Sequence, residues 1–206
     1  MKRTQKLIIG LLLTLGNLSA KATRAPAESA SMSYQSAMSL ARANDERRAK
    51  AVCNPREMHA ISVASQIAYR SAGQLKMKAL NASKLTSLNQ TIRSRLFSAY
   101  QVLECSQNMI PRLTYTCHER MPQAYAQTFP YFGTQVWISR DFFFKLTDMQ
   151  RAGTTLHEST HKCGAYNDTL INTQTVARNF KGNWTGVADF YAYWLENGFC
   201  IPGHNC

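Results

Sequence analysis

The segment HESTH at positions 157–161 contains two histidines four residues apart, with Glu158 directly after the first. Residues four apart on a helix lie on one face, about one turn from each other, so His157 and His161 could bind a single metal ion. Glu158 is rotated by about 100° from His157 and could reach a water molecule beside that ion without being a ligand. Composition alone would produce HExxH in this chain with a probability of roughly 0.4 per cent. The pattern therefore predicts a hydrolytic zinc site.

The third ligand of this site must come from elsewhere in the chain, because a catalytic zinc ion usually has three protein ligands and one open position. Gly164 can adopt the left-handed conformation that ends a helix and turns the chain back toward the metal. Asp168, seven residues after His161, is the ligand we expect, and Glu196 is the alternative that a gluzincin would use. A metzincin site is disfavoured, because Asn167 occupies the position of its third ligand. The candidate ligands after the motif are Asp168, Asp189, Glu196 and His204.

The histidine motif needs a helix to bring its side chains onto one face, and the sequence predicts one over 148–163. Thr147 and Gln150 form the pattern of a capping box at its beginning. Apolar residues at helical spacing predict two further helices that pack in the core, over 57–71 and 84–105. A last helix, with an apolar face turned inward, is expected from about 187 to 197.

Two segments after the second of these helices favour β-structure. Residues 112–117 and 134–144 are rich in the β-branched and aromatic side chains that suit a pleated surface. We expect them to form strands of a small antiparallel sheet. The predicted fold class is therefore α+β, mainly helical with a small antiparallel sheet, and stabilised by disulfides.

The first 22 residues have the organisation of a secretory signal peptide, in which basic residues precede an apolar run over 7–15 and small residues follow it. Residues 23–45, rich in Ala and Ser, are expected to be a flexible leader or a short pro-segment. The remaining residues, 46–206, are sufficient for one domain with a sizeable core.

The charge of the chain and the signal peptide together limit its location and partners. No downstream segment approaches the roughly 18 continuous apolar residues of a membrane anchor, so we expect a secreted or periplasmic protein. The formal net charge is +12, and about +8 remains without the basic residues of the signal peptide. No nucleic-acid-binding module accompanies this charge, and we interpret it as favouring solubility. We expect a monomer with no nucleic-acid partner.

Export also favours disulfides, and the chain has six cysteines without a CxxC pair. Three disulfides with no free thiol are the simplest expectation. Short loops favour the pairs Cys105–Cys117 and Cys200–Cys206. These two pairs leave Cys53 to pair with Cys163.

Two segments of the chain resemble the aspzincin metallopeptidases, the group of deuterolysin and peptidyl-Lys metalloendopeptidase. The first is AGTTLHESTH followed by Asp168, and the second is VADFYAYWLENG at 187–198. The resemblance covers about 135–198. It implies a zincin-like fold for the domain over 46–206, and a secreted endopeptidase that acts on protein or peptide substrates.

The resemblance also implies roles for the motif residues. His157, His161 and Asp168 would hold one zinc ion per chain. Glu158 would act as the general base on a water molecule and return the proton to the leaving amine.

The second segment implies candidate substrate-binding residues. In the family, the aspartate that matches Asp189 lies in the pocket for the residue after the scissile bond, where a carboxylate favours Lys or Arg. Ala192 stands where the strictly lysine-specific members have a second acid, so we expect a preference rather than a rule. The family's oxyanion-stabilising tyrosine is missing from its expected place, and Tyr166, Tyr191 and Tyr193 are the candidates to replace it.

Two alternatives stay open, because HExxH indicates the chemistry better than the substrate. One is a zinc hydrolase that acts on a cell-wall amide or another non-protein amide. The other is a non-catalytic secreted protein that binds metal or inhibits a partner.

Overall fold

The computed structural model describes residues 52–119, 121, 124–130, 133–166, 168, 184–201 and 204. The predicted signal peptide and leader, over 1–45, lie outside these residues, as does Cys206. None of the described helices is long and apolar enough to cross a membrane.

The longest element is helix α1, Pro55–Ser83, which begins with a capping box. The Asn54 side chain accepts a hydrogen bond from the Glu57 backbone N–H, and the Glu57 carboxylate accepts one from the Asn54 N–H. The helix extends beyond the predicted end at 71, because its buried face continues as small residues such as Ala72 and Ala79. Alanine has the highest helix propensity, but it contributes little to an apolar stripe that is recognised by large side chains.

Helix α2, Gln90–Met109, packs along α1. Asn89 caps its beginning by accepting a hydrogen bond from the Ile92 N–H at 2.9 Å. The helix therefore begins six residues after the predicted start at 84.

Three short strands form one sheet in the order β1–β3–β2. The strands are β1 (Thr114–His118), β2 (Ala126–Thr128) and β3 (Gln135–Ser139). β1 runs parallel to β3, whereas β2 is antiparallel to β3 and lies at an edge. The sheet is therefore mixed, and the predicted antiparallel arrangement is wrong for the β1–β3 pair. The difference arises from β2, which is too short to show an alternating pattern. Because β2 lies between β1 and β3 in the sequence and runs antiparallel to β3, the chain returns to β3 in the direction of β1.

The last two helices, α3 (Asp148–His161) and α4 (Ala188–Asn197), begin and end within two residues of the predicted bounds. Large apolar side chains of α4 and of the turn before it pack with α1, α2 and α3 in the main core. The largest of them are Trp184, Phe190, Tyr191 and Trp194. The predicted α+β, mainly helical class is thus confirmed.

Two disulfides join distant parts of the described chain, Cys53–Cys117 and Cys105–Cys163. The predicted pairs Cys105–Cys117 and Cys53–Cys163 are wrong, because β1 directs Cys117 toward the beginning of α1, while the end of α3 packs on α2. The predicted partner of Cys200, Cys206, lies outside the described residues. No cysteine in the described part of the chain is free. The Cys105–Cys163 bridge tethers the chain two residues after His161 and so limits movement at the end of α3.

Candidate active site

Helix α3 brings the HESTH motif into position, and local sequence signals determine both of its ends. At its beginning, Thr147 and Gln150 form the predicted capping box, with the Gln150 side chain accepting from the Thr147 N–H at 3.0 Å. At its end, Gly164 has a φ of 107°, which favours glycine and turns the chain as predicted.

Three ligand-type atoms meet beside this helix. Asp168 Oδ1 lies 3.0 Å from His157 Nε2 and 2.9 Å from His161 Nε2. The two Nε2 atoms lie 3.1 Å from each other. Two ligands of a tetrahedral zinc ion, each about 2.1 Å from the metal, lie roughly 3.4 Å apart. The triangle therefore needs to widen by only a few tenths of an ångström to fit zinc, and its two imidazoles and one carboxylate are the ligand types that zinc accepts.

The opposite nitrogen of each imidazole has its own hydrogen-bond partner. His161 donates from Nδ1 to the Ala165 carbonyl oxygen at 2.8 Å, and His157 donates from Nδ1 to Asp189 Oδ1 at 3.1 Å. These bonds keep a proton on each Nδ1, so each Nε2 would have a lone pair for a metal ion once it has lost its own proton. Such partners orient metal-binding histidines and raise their basicity.

The charges of these groups are strongly coupled. Hydrogen bonds from His157 and His161 hold the pKa of Asp168 well below its ordinary value. Burial lowers the pKa of His157, but the hydrogen bonds to Asp168 and Asp189 outweigh it and raise that pKa to about 10. A divalent cation among the three atoms would take the place of the His157 proton, so cation affinity should increase with pH.

Glu158 differs from its two neighbouring histidines in having an unsatisfied oxygen. The residue is only 4 % exposed, and its Oε2 atom accepts no hydrogen bond from the described residues. Burial raises the pKa of its carboxyl, and the positive charges of His157 and His161 partly oppose this effect. A buried polar atom of this kind requires a partner, and a water molecule or a substrate in the adjoining cleft could supply one.

The motif residues form the floor of a cleft with a volume of about 620 Å³. One wall is the segment around β2, with Tyr125, Phe129 and the neighbouring Trp137 of β3. Helix α4 also lines the cleft, through Asp189, Ala192 and Glu196, which recur at helical spacing and so share one face. Tyr166 also lines the cleft.

The remaining predicted site residues differ in their position relative to the cleft. Tyr191 is fully buried, donates its hydroxyl proton to the Thr185 carbonyl oxygen at 2.9 Å, and is not among the residues that line the cleft. Tyr193 is partly buried against the main core and is also not among the residues that line the cleft. Glu196 lines the cleft, but it does not join the metal-type group of His157, His161 and Asp168.

The sequence does not indicate that Tyr125 and Phe129 line the cleft, or that Asp189 is the hydrogen-bond partner of His157. Tyr125 and Phe129 flank a three-residue strand that has no recognisable pattern. The hydrogen bond from His157 to Asp189 depends on how α4 packs against α3, and nothing local in either segment indicates it.

The contact with Asp189 allows a prediction about metal affinity. Replacing Asp189 by Ala removes the acceptor that orients His157, and we expect zinc affinity to fall about 10- to 100-fold. Competition against a colorimetric chelator measures this affinity. Glu196→Gln is the matched control, since it changes another carboxylate of α4 and should leave zinc affinity unchanged. An Asp189→Ala protein with wild-type affinity would contradict the orienting role.

The similarity of this chain to known proteins is one of structure. No protein-family model matches the chain, and no curated protein matches it significantly. Among solved structures, it is similar to a zinc peptidase from Grifola frondosa, with 18% sequence identity and a TM-score of 0.56. The alignment covers 70% of this chain and 97% of that chain. The chain therefore has the fold of a zinc peptidase.

Proposed function

We propose that this protein is a zinc-dependent endopeptidase of the aspzincin type, with His157, His161 and Asp168 as ligands of one zinc ion. The observation that carries the proposal is the convergence of their three ligand atoms on the floor of a cleft, beside the buried carboxylate of Glu158. The similarity of fold to a solved zinc peptidase supports the same conclusion.

The residues of the cleft divide the chemistry of peptide hydrolysis among them. Zinc at this position would supply a Lewis acid for the peptide carbonyl and would make water a nucleophile at neutral pH. Glu158 accepts a proton from the attacking water and passes it to the leaving amine, and its raised pKa suits both steps. Tyr166 is the tyrosine that we assign to the oxyanion, because it lines the cleft and Tyr191 and Tyr193 do not.

We propose further that the enzyme is exported and acts as a monomer. The N-terminal signal-peptide pattern and the two disulfides support export.

The charge of the cleft supports a preference for Lys or Arg after the scissile bond. The residues that line it include four of the twelve acidic residues of the chain, Glu158, Asp168, Asp189 and Glu196. No lysine or arginine is among the described residues that line it. With Asp168 assigned to zinc and Glu158 to proton transfer, Asp189 and Glu196 are the acids of the cleft that would favour a cationic side chain in the substrate.

Zinc content and cleavage of an unfolded protein such as casein, measured on one preparation, test the proposal. An endopeptidase should contain about one zinc ion per chain and should cleave casein. Its cleavage of casein should cease when a chelator removes the metal. Zinc without casein cleavage would favour the non-protein amide hydrolase or the non-catalytic metal-binding protein. Release of soluble products from cell-wall material would then identify the hydrolase.

Mapping the cleaved bonds in a mixed peptide library tests the charge preference. We expect Lys and Arg to be enriched after the scissile bond. Glu196→Gln should reduce cleavage before Lys, relative to cleavage before norleucine, by about fivefold, the size expected for a partly exposed ion pair. Glu104→Gln is the matched control, because Glu104 lies on α2 and does not line the cleft. Equal cleavage before Lys and norleucine by the wild-type protein would contradict the preference.

A further inference from the structure

Three aromatic residues line the cleft beside the proposed metal site, and two of them are exposed. We name Tyr125, Phe129 and Trp137 the aromatic wall. Tyr125 is 51% exposed and Phe129 is 62% exposed. The rings of Phe129 and Trp137 meet edge to face, with centroids 4.8 Å apart. Large aromatic side chains exposed together are characteristic of surfaces that bind something.

The aromatic wall is continuous with the cleft that contains the histidine motif. All three of its residues line that cleft, together with His157, Glu158 and further residues. A peptide bound along this cleft would contact both this wall and the acidic residues of α4 that line it.

The wall is held at a defined position relative to the metal-type residues. Lys162, directly after His161, donates a hydrogen bond from its ammonium group to the Phe129 carbonyl oxygen. On the other side, the Phe129 ring packs against Trp137 of β3. The end of β2 is thus fastened to the end of α3, and a surface held in this way binds without first having to be ordered.

We propose that the aromatic wall is a specificity subsite that takes a large apolar or aromatic side chain of the peptide substrate, with Phe129 as its main contact. This inference rests on the proposed peptidase function. The subsite and the acidic residues of α4 line the same cleft at different residues, so they recognise different side chains of one peptide. The preferred substrate then carries a cationic residue and a large apolar residue near the scissile bond. Phe129 touches the apolar residue directly, and edge-to-face contact with its ring favours an aromatic partner.

Peptide pairs that are identical except for Phe or Gln at one position test the subsite. Scanning this position along the peptide should reveal one place where Phe is preferred. With the variable residue at that position, Phe129→Ala should reduce the kcat/KM of the Phe peptide, relative to that of the Gln peptide, about tenfold. Phe129→Tyr keeps the ring and should retain the preference. Tyr125→Ala is a second variant of the wall and should reduce the ratio as well.

Phe97→Ala is the matched control for Phe129→Ala. Phe97 is 47% exposed and packs on Tyr100 with ring centroids 5.8 Å apart, but it lies on α2 and does not line the cleft. It should leave the ratio unchanged. A ratio that is unaffected by Phe129→Ala, or that falls equally in Phe97→Ala, would overturn the proposal.

A binding measurement separates this proposal from the proposed activity. Fluorescence anisotropy of labelled peptides on zinc-loaded Glu158→Gln protein reports affinity without turnover. The Phe peptide should bind about tenfold more tightly than the Gln peptide, and Phe129→Ala in the same background should remove the difference. If the wild-type protein cleaves no peptide, the proposed function fails, and this difference in affinity still decides the subsite. Equal affinity for both peptides would overturn the subsite even in an active peptidase.

Discussion

Glu158→Gln is expected to lower kcat for peptide hydrolysis by about 10³-fold while zinc affinity stays near the wild-type value. Glutamine has almost the same shape as glutamate, but it cannot accept a proton from water at neutral pH. Glu158 is not among the three groups whose ligand atoms converge, so its replacement leaves His157, His161 and Asp168 in place.

Turnover and zinc content of the same Glu158→Gln preparation check this expectation. His161→Ala is the comparison, because it removes a ligand and should lose both zinc and activity. The Glu158 side chain is only 4 % exposed, so thermal unfolding of the Gln variant should be recorded as a control for folding. Near-normal turnover in a folded, zinc-containing Gln variant would show that another group is the base.

Asp168→Ala is expected to weaken zinc binding by more than about 100-fold. Loss of a proposed ligand should cost more affinity than loss of a group that only orients a ligand. Its carboxylate oxygen lies within 3.0 Å of the Nε2 atoms of both histidines, and its lowered pKa keeps it ionised at neutral pH. The Asp168 side chain is 67% exposed, so its truncation should disturb the fold little.

Chelator competition on Asp168→Ala and Glu196→Ala decides between the two proposed third ligands. Glu196 lines the same cleft but lies outside the group of converging ligand atoms, so its replacement should leave zinc affinity nearly unchanged. Loss of zinc from the Glu196 variant, with retention in the Asp168 variant, would instead indicate a gluzincin arrangement.

The local part of the site could be predicted from the sequence because it depends on helix periodicity. Four-residue spacing places His157 and His161 together on any α-helix, and the next position turns Glu158 beside them. The capping box of Thr147 and the turn at Gly164 involve neighbouring residues, and both are present in the structure. The position of Asp168 follows from that turn, which returns the chain toward the end of the same helix.

Contacts between distant segments could not be predicted in this way. The apolar face of α4 was evident from its spacing, but the same spacing did not distinguish a tyrosine that binds substrate from Tyr191, which is buried in the core. Loop length suggested the wrong partners for Cys105 and Cys117, because disulfide pairing follows the packing of α3 on α2 and of β1 beside α1.

The sequence alone thus determined the proposed metal-binding motif, its proposed base and the helix that carries them, since each depends on residues within a few turns of one helix. Only the tertiary structure decided what surrounds that helix. It brought Asp189 into contact with His157, and it placed Glu196 and Phe129 in the lining of the cleft. These positions depend on the packing of α4 and on the pairing of β2 with β3. Both are long-range contacts whose free energy comes from burying apolar surface that residues distant in sequence supply together.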